Sequence, residues 1–323
     1  MSWHVRRTSQ EFAISLVGIA LLAVVPLWVK SIYWLGVLVV TMYFAMLSAG
    51  WNLQIGYTGQ ISLAPATFGM VGAYTTGLLW VHLGIPPWAG IAAGCGTSAV
   101  IGALLATLVL RLRGPYLALT TFAVAEAMRF VAAFTPSITG GDLGINVPGV
   151  TDSRTAWYFG FLAALLVTQI GLYLLLRSPA GLYLQTIRDD DLAAQARGVH
   201  VVWWKCAAFT IAAGISGLAG ALYAHFARVV NPDMGALHQT GLIIAMVIIS
   251  GKGSLVGPLI GAAVVYIASE ALRDVGGYHA IIFALLVILF ARFCRDGLWG
   301  FVRQNVPRRS AAVTLPPAES VTS

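Results

Sequence analysis

Ionisable residues are so scarce in this chain that each one set inside an apolar run is a candidate for chemistry. Glu126 and Arg129 stand three residues apart in such a run, and Glu270 and Arg273 repeat the spacing at the end of another. On a helix this puts the two charges side by side, and mutual pairing lowers the cost of holding them near lipid. Two readings stay open: a proton or substrate pathway, or a structural ion pair near the membrane interface. Ser250-Gly251-Lys252-Gly253-Ser254 approaches a phosphate-binding loop, but it fails the G-x-x-x-x-G-K-S/T pattern at the first glycine and after the lysine, and no strand precedes it. If ATP is used, another chain hydrolyses it. His82, His225, His238 and His279 lack metal-ligand spacing, and no Ser, His and Asp arrangement stands out. No metal, cofactor or catalytic residue is therefore expected. Cys95, Cys206 and Cys294 are far apart and lie in or beside apolar segments, which indicates small side chains rather than a disulfide framework.

The longest polar interlude runs from Ser178 to Val199. Its aspartates, Asp189, Asp190 and Asp191, with Arg177, Arg188 and Arg197 around them, cannot lie in lipid. Ser178 suits an N-cap and Pro179 the first helical position. On one helix Ile187, Asp191, Ala194 and Gly198 would form a stripe at spacings of four, three and four. A segment of this size, on a chain with little other soluble mass, reads as a docking surface for a partner.

The elements that must position these residues are membrane helices. Hydrophobic residues make up 59% of the 323 residues and charged ones 10%, with a mean hydropathy of +0.83. Soluble proteins average roughly 25% charged residues. The net charge of +7 does not indicate nucleic acid, because Lys and Arg are not gathered into a basic face and instead mark topology. The expected fold is all-α: a polytopic integral membrane bundle of about 8–10 transmembrane segments with broken or re-entrant helices. The spans fall near 12–29, 31–54, 60–81, 86–110, 115–134, 155–176, 204–227, 236–251, 253–271 and 278–293.

With a cytoplasmic amino end, about fourteen of the 19 Lys and Arg lie inside, as the positive-inside rule asks. Both termini are then cytoplasmic, with 1–11 a cytoplasmic N-terminus and 12–303 the transmembrane domain. The polar segment 178–200 is cytoplasmic too, and 304–323 is a disordered tail. The stretch 56–80 is open to a re-entrant reading, and the two short spans around Gly251 to one as a broken hairpin.

Small residues recur at Gly214, Gly217 and Gly220 and at Gly253, Gly257 and Gly261, letting helix backbones approach closely within the bundle or against a second membrane subunit. Pro258 inside the second run indicates a broken or kinked helix. Such breaks border cavities in transporters, so Gly56, Gly59, Gln60, Ser62 and Gly72 and, later, Gly253, Gly257 and Pro258 are candidates for a translocation pathway.

Several motifs in one order resemble a known family. These are Asn52-Leu-Gln-Ile-Gly56-Tyr-Thr-Gly59-Gln60-Ile-Ser62-Leu63, Gly72-Ala73-Tyr74, Leu110-Arg-Leu-Arg-Gly114-Pro-Tyr116, Thr139-Gly140-Gly141, Gly217-Leu-Ala-Gly220, Gly253-Ser254-Leu255-Val-Gly257-Pro258 and Arg295-Asp296-Gly297-Leu298. Over residues 35–302 the chain is similar to the LivM-type permease subunits of bacterial ABC importers for branched-chain amino acids. The resemblance implies an inner-membrane permease, not an enzyme, working with a LivH-like second permease, two cytoplasmic ABC ATPases and a periplasmic solute-binding protein. It also implies that Gly181, Ile187, Arg188, Asp190, Asp191, Ala193, Ala194 and Gly198 couple to the ATPase. Here Leu192 stands where the general permease pattern has Glu. Ala64-Pro65 replaces the usual Gly-His, and Lys252 the usual Gly or Leu. Permeases for urea, amides or aromatic acids share the architecture, and a proton-coupled secondary transporter using Glu126 or Glu270 is the alternative of a different class.

Overall fold

The structure, a computed structural model, describes residues 2–29, 31–109, 112, 114–272, 285 and 297–304. Apart from Leu285, the expected span 278–293 lies outside the described residues, as do Arg273, Cys294 and the tail from 305 onward.

The described chain is helical apart from one ladder of two residues per strand. Helices α1 (Ser2–Trp28), α2 (Ile32–Thr58), α3 (Pro65–Leu83), α4 (Pro87–Val109) and α5 (Pro115–Ala133) form the first half. A short turn, α6 (Pro136–Thr139), and strand β1 (Ile145–Asn146) lead to α7 (Arg154–Arg177), then α8 (Pro179–Asp189), α9 (Asp191–Ala196) and α10 (Val201–Ala227). Strand β2 (Val229–Val230), α11 (Leu237–Ser250), α12 (Gly257–Ala271) and α13 (Gly297–Gln304) complete it. Helix starts follow proline and helix ends follow glycine. Pro65, Pro87, Pro115 and Pro179 stand in first turns, where a missing N–H costs nothing, and Gly59 and Gly84 close α2 and α3 at φ 70° and 63°.

Six helices, namely α1 from Thr8, α2, α4, α5, α7 and α10, are long and apolar enough to cross a membrane. Helices α11 and α12, of 14 and 15 residues, reach only about 21–23 Å each. That is short of the roughly 30 Å hydrocarbon core, as expected for the broken pair. Pro258 does not kink a continuous helix but lies in the first turn of α12. Gly253 precedes that helix at φ 75° and so shares no helix face with Gly257 and Gly261. Helix α1 begins at Ser2, well ahead of the apolar run that starts near 12.

Helix α10 lies along α4, α3 and α2 at the centre of the bundle. Its contact with α3 and α4 is a seam of glycines. A methyl on Gly72 would overlap the carbonyl of Gly217, and one on Gly220 would overlap that of Gly69. One on Gly94 would stand 2.6 Å from the Gly72 oxygen. Gly72 is therefore a mid-helix packing residue and not a break. The small-residue face at Gly217 and Gly220 is spent within the chain. His225, fully buried on α10, crosses the same region: its Nδ1 donates to Pro148 O at 2.8 Å, leaving Nε2 of the neutral ring to accept from the Thr76 hydroxyl at 2.8 Å.

The two ends of the bundle differ. At one, β1 pairs antiparallel with β2, Ile145 opposite Val230, and Arg228 forms an ion pair with Asp152. At the other, the last turn of α2, the α8–α9 segment and the start of α12 meet, and Glu11 of α1 accepts a hydrogen bond from Leu255 N at 3.1 Å.

Candidate functional site

The polar segment folds as two helices rather than one. Asp190 adopts an extended conformation, φ −159° and ψ 112°, and its carboxylate accepts hydrogen bonds from Leu192 N at 2.8 Å and Ala193 N at 3.1 Å. It is thus the N-cap of α9, and its local bonds end α8. The expected single stripe of Ile187, Asp191, Ala194 and Gly198 is therefore broken. Ile187 and Ala194 are buried with Val201 in a small cluster against Val199 and Trp204, Asp191 pairs with Lys205, and Gly198 leaves the helix at φ 83°. Ser178 also departs from expectation. Its hydroxyl donates backward to Leu175 O at 2.6 Å and caps nothing ahead. Gly181 is enclosed where α7 turns into α8, because a methyl there would overlap Leu176 O.

Residues the motif reading did not single out form the outer surface. Leu192, Val202 and Trp203 are each more than 60% exposed, beside exposed Asp189, Ala193 and Arg197. Leu192 was legible only as a departure from the permease pattern; Val202 and Trp203 fell between the polar segment and the expected span 204–227 and drew no reading.

Arg188 joins this segment to the membrane helices. Its guanidinium donates to Gly56 O at 3.0 Å, one of the last carbonyls of α2, and also to Asp189 at 2.9 Å. A cation suits the negative end of a helix. One turn back on α2, Asn52 donates to Ser254 O and accepts from Gly253 N, both at 2.9 Å. Gly56 and Gly253 touch so closely that a methyl on Gly56 would overlap Gly253 N. Trp51 Nε1 donates to Ser62 O at 2.7 Å, and the Thr58 hydroxyl donates to Gln60 Oε1 at 2.9 Å, which fixes the chain between α2 and α3. The two expected breaks therefore meet each other and the polar segment at one junction. The space beside them, bounded by Asn52, Leu53, Ser254 and Pro258, is about 10 Å³, room for about one water.

The larger opening lies elsewhere. A cavity of about 350 Å³ sits between α2, α10, α11 and α12, bordered by Ala227 and Val229. Ala227 ends α10, about 39 Å along the helix from Val201 beside the polar segment. Tyr43, Phe44, Tyr223 and Tyr266 wall the cavity, and Asn231, Asp233, His238 and Gln239 are its polar lining. None of these was a sequence candidate, because four separate elements assemble them.

Glu126 and Arg129 form the expected ion pair on α5 at 2.8 Å, both partly exposed, with the guanidinium 4.7 Å from the Phe130 ring. Glu270 accepts from the Tyr33 hydroxyl at 2.6 Å. The described residues hold no group of three or more His, Cys, Asp or Glu able to bind a metal ion.

The protein family described as branched-chain amino acid transport system, permease component, matches residues 33–291. The high-affinity branched-chain amino acid transport system permease protein LivM of Escherichia coli K12 is 30% identical, over 92% of this chain and 77% of that protein. Its counterpart in Salmonella typhimurium LT2 is 30% identical, over 84% and 71%. The fructose import permease protein FrcC of Rhizobium meliloti is 26% identical, over 79% and 72%. No solved structure matches.

Proposed function

This chain belongs to the family of permease components of branched-chain amino acid transport systems, and from that premise we propose that it is one membrane subunit of a bacterial ATP-driven importer of branched-chain amino acids. It works in the inner membrane with a LivH-like permease, two cytoplasmic ATPases and a periplasmic binding protein. The observation that carries this reading is the exposed apolar and charged face of 189–203, held on a segment tied to the end of α2 by Arg188 and to the start of α10 by the Asp191–Lys205 pair. Exposed Leu192, Val202 and Trp203 offer apolar anchors for an ATPase groove, and Asp189 and Arg197 fix the register.

Closure of the ATPases on ATP shifts α8 and α9 as a unit, and Arg188 carries the shift to α2 and the α11–α12 break. In the present conformation that end is shut while the opposite end holds an open cavity, an arrangement suited to receiving substrate from outside. ATP binding and hydrolysis belong to the partners, so this chain requires no nucleotide site of its own.

Leu192→Asp tests the reading without touching the buried cluster. The variant is expected to assemble with its partner permease but to lose copurification with the ATPase and ATP-driven uptake. Unchanged ATPase binding and uptake would reject the docking face. Uptake that persists in cells depleted of ATP but holding a proton gradient would favour secondary transport.

A further inference from the structure

On the reading that this importer carries amino acids, we propose that the 350 Å³ cavity between α2, α10, α11 and α12 is a recognition site for the zwitterionic head and apolar side chain of an α-amino acid. Permease walls in such a system need only pass what a binding protein delivers. This cavity has the features of a site that also selects.

Its size lies within the 300–1,000 Å³ of small-molecule sites, and its lining divides into an aromatic wall and a polar edge, the usual composition of such sites. Tyr43 stacks on Tyr223 of α10 with ring centroids 4.5 Å apart, and its neighbour Phe44 packs on Tyr266 of α12 at 5.3 Å. Two consecutive residues of α2 thus link three helices into one apolar surface. Rigid rings of this kind accept a branched aliphatic side chain at small entropic cost.

The polar edge supplies both signs. Asp233, in the turn before α11, is exposed and has no salt-bridge partner among the described residues, so its charge is free to meet an ammonium group. Gln239 Oε1 is buried without a hydrogen-bond partner, a second acceptor aimed at nothing in the chain. An unpaired buried oxygen of this kind is costly unless a ligand satisfies it. The first turn of α11, which carries His238 and Gln239, also borders the cavity. Gln239 N and Thr240 N donate to Ala236 O, but the Leu237 and His238 N–H groups have no carbonyl within the helix to meet, and the helix end carries partial positive charge that favours a carboxylate. An ammonium at Asp233 and Gln239 with a carboxylate at the start of α11 meets each of these groups. A neutral sugar would leave the Asp233 charge unanswered.

Helix motion gives the site a way to release. Its walls are α2 and the α11–α12 pair, the elements joined at the opposite end to Arg188 and Asn52. A shift at that junction moves Tyr43 and Phe44 relative to Tyr266.

The test uses the complete transporter, with both permeases and the ATPases, in lipid nanodiscs. Val229 borders the cavity without a role in recognition, so V229C is labelled with a water-soluble maleimide, counting only label absent from the parent complex. L-leucine at millimolar concentration is expected to slow labelling about tenfold. Isopentylamine, which lacks the carboxylate, and 4-methyl-2-oxopentanoate, which lacks the ammonium, are expected not to. Adding D233N should abolish protection by leucine, and D233E should restore most of it. ATP hydrolysis stimulated by the loaded binding protein should stay at the parent level in V229C alone, and the thermal unfolding of the complex should match the parent in every variant, which shows that each complex is folded.

Equal labelling with and without leucine, in a complex that imports leucine, would overturn the proposal and leave the importer reading intact. Equal protection by all three compounds, or protection that survives D233N, would overturn it as well. Import of fructose or ribose in place of leucine would overturn the importer reading, and the proposal with it.

Discussion

Along the seam of α3, α4 and α10 the helix backbones touch at several glycines, whereas at the junction of α2, α8 and the start of α12 one backbone contact, Gly56 on Gly253, is joined by side-chain hydrogen bonds. The seam has no slack: glycine carbonyls occupy the volume of a methyl group on the facing helix, and a face of this kind has one way to pack. The junction adds to the Gly56–Gly253 backbone contact the side-chain ties of Arg188 to Gly56 O and of Asn52 to Gly253 and Ser254, polar interactions that break and re-form more readily than a glycine seam. The difference teaches which parts move together. On the proposed reading, helices α3, α4 and α10 act as a fixed block, and α2 with the α11–α12 pair is the part whose position a partner changes. Because α10 also follows directly from α9, the block is, on the proposed reading, the frame against which Arg188 pulls.

The sharpest way to break this comparison is to put a side chain into the seam. Gly217→Leu drives carbon atoms into Ser98 and the Gly94 carbonyl. It is expected to destabilise the subunit by more than about 3 kcal/mol and to remove it from the membrane fraction. Yield and thermal unfolding of the purified complex measure this, and a variant of normal stability would mean that the seam yields after all.

Arg188→Ala addresses the other side of the comparison and should have a smaller, more selective effect. Removing a charge-assisted bond to the end of α2 is expected to lower uptake about tenfold while ATP hydrolysis continues and thermal stability is nearly unchanged. Loss of stability on the scale of the seam variant would show that the junction is structural scaffold and not a transmission point. Arg188→Lys should recover part of the uptake, since a lysine keeps the charge but not the fork.

How much of this was legible in the sequence depends on whether a feature is local. The ends of α2 and α3, the starts of α4 and α5 and the break before α12 were all signalled by Gly or Pro, residues whose backbone preferences act without a tertiary partner. The division of 178–199 at Asp190 was not visible, because three consecutive aspartates read as solvated charge. Only the cap geometry distinguishes Asp190, which accepts two N–H bonds, from Asp191, which pairs with Lys205. The meeting of Gly56 with Gly253, and of Tyr43 with Tyr223, could not be read at all. Such contacts join residues far apart in the chain, and periodicity carries no information about which helices become neighbours.

The smallest expected effect concerns Glu126 and Arg129 of α5, which line neither the junction nor the cavity, although the helix itself packs against the 232–235 turn that carries Asp233. Glu126 and Arg129 keep side-chain exposures of 20% and 23%, and the guanidinium also rests on the Phe130 ring. A pair this exposed contributes about 0–1 kcal/mol, so Glu126→Gln is expected to change uptake less than about twofold and stability by less than about 1 kcal/mol. A proton pathway demands the opposite, because a glutamine cannot pass a proton, and uptake in the variant would then collapse at every external pH. Measured beside Arg188→Ala in the same vesicles, Glu126→Gln asks whether the energy for transport enters at the junction or through α5. Near-normal uptake in the second variant, with a tenfold loss in the first, assigns it to the junction.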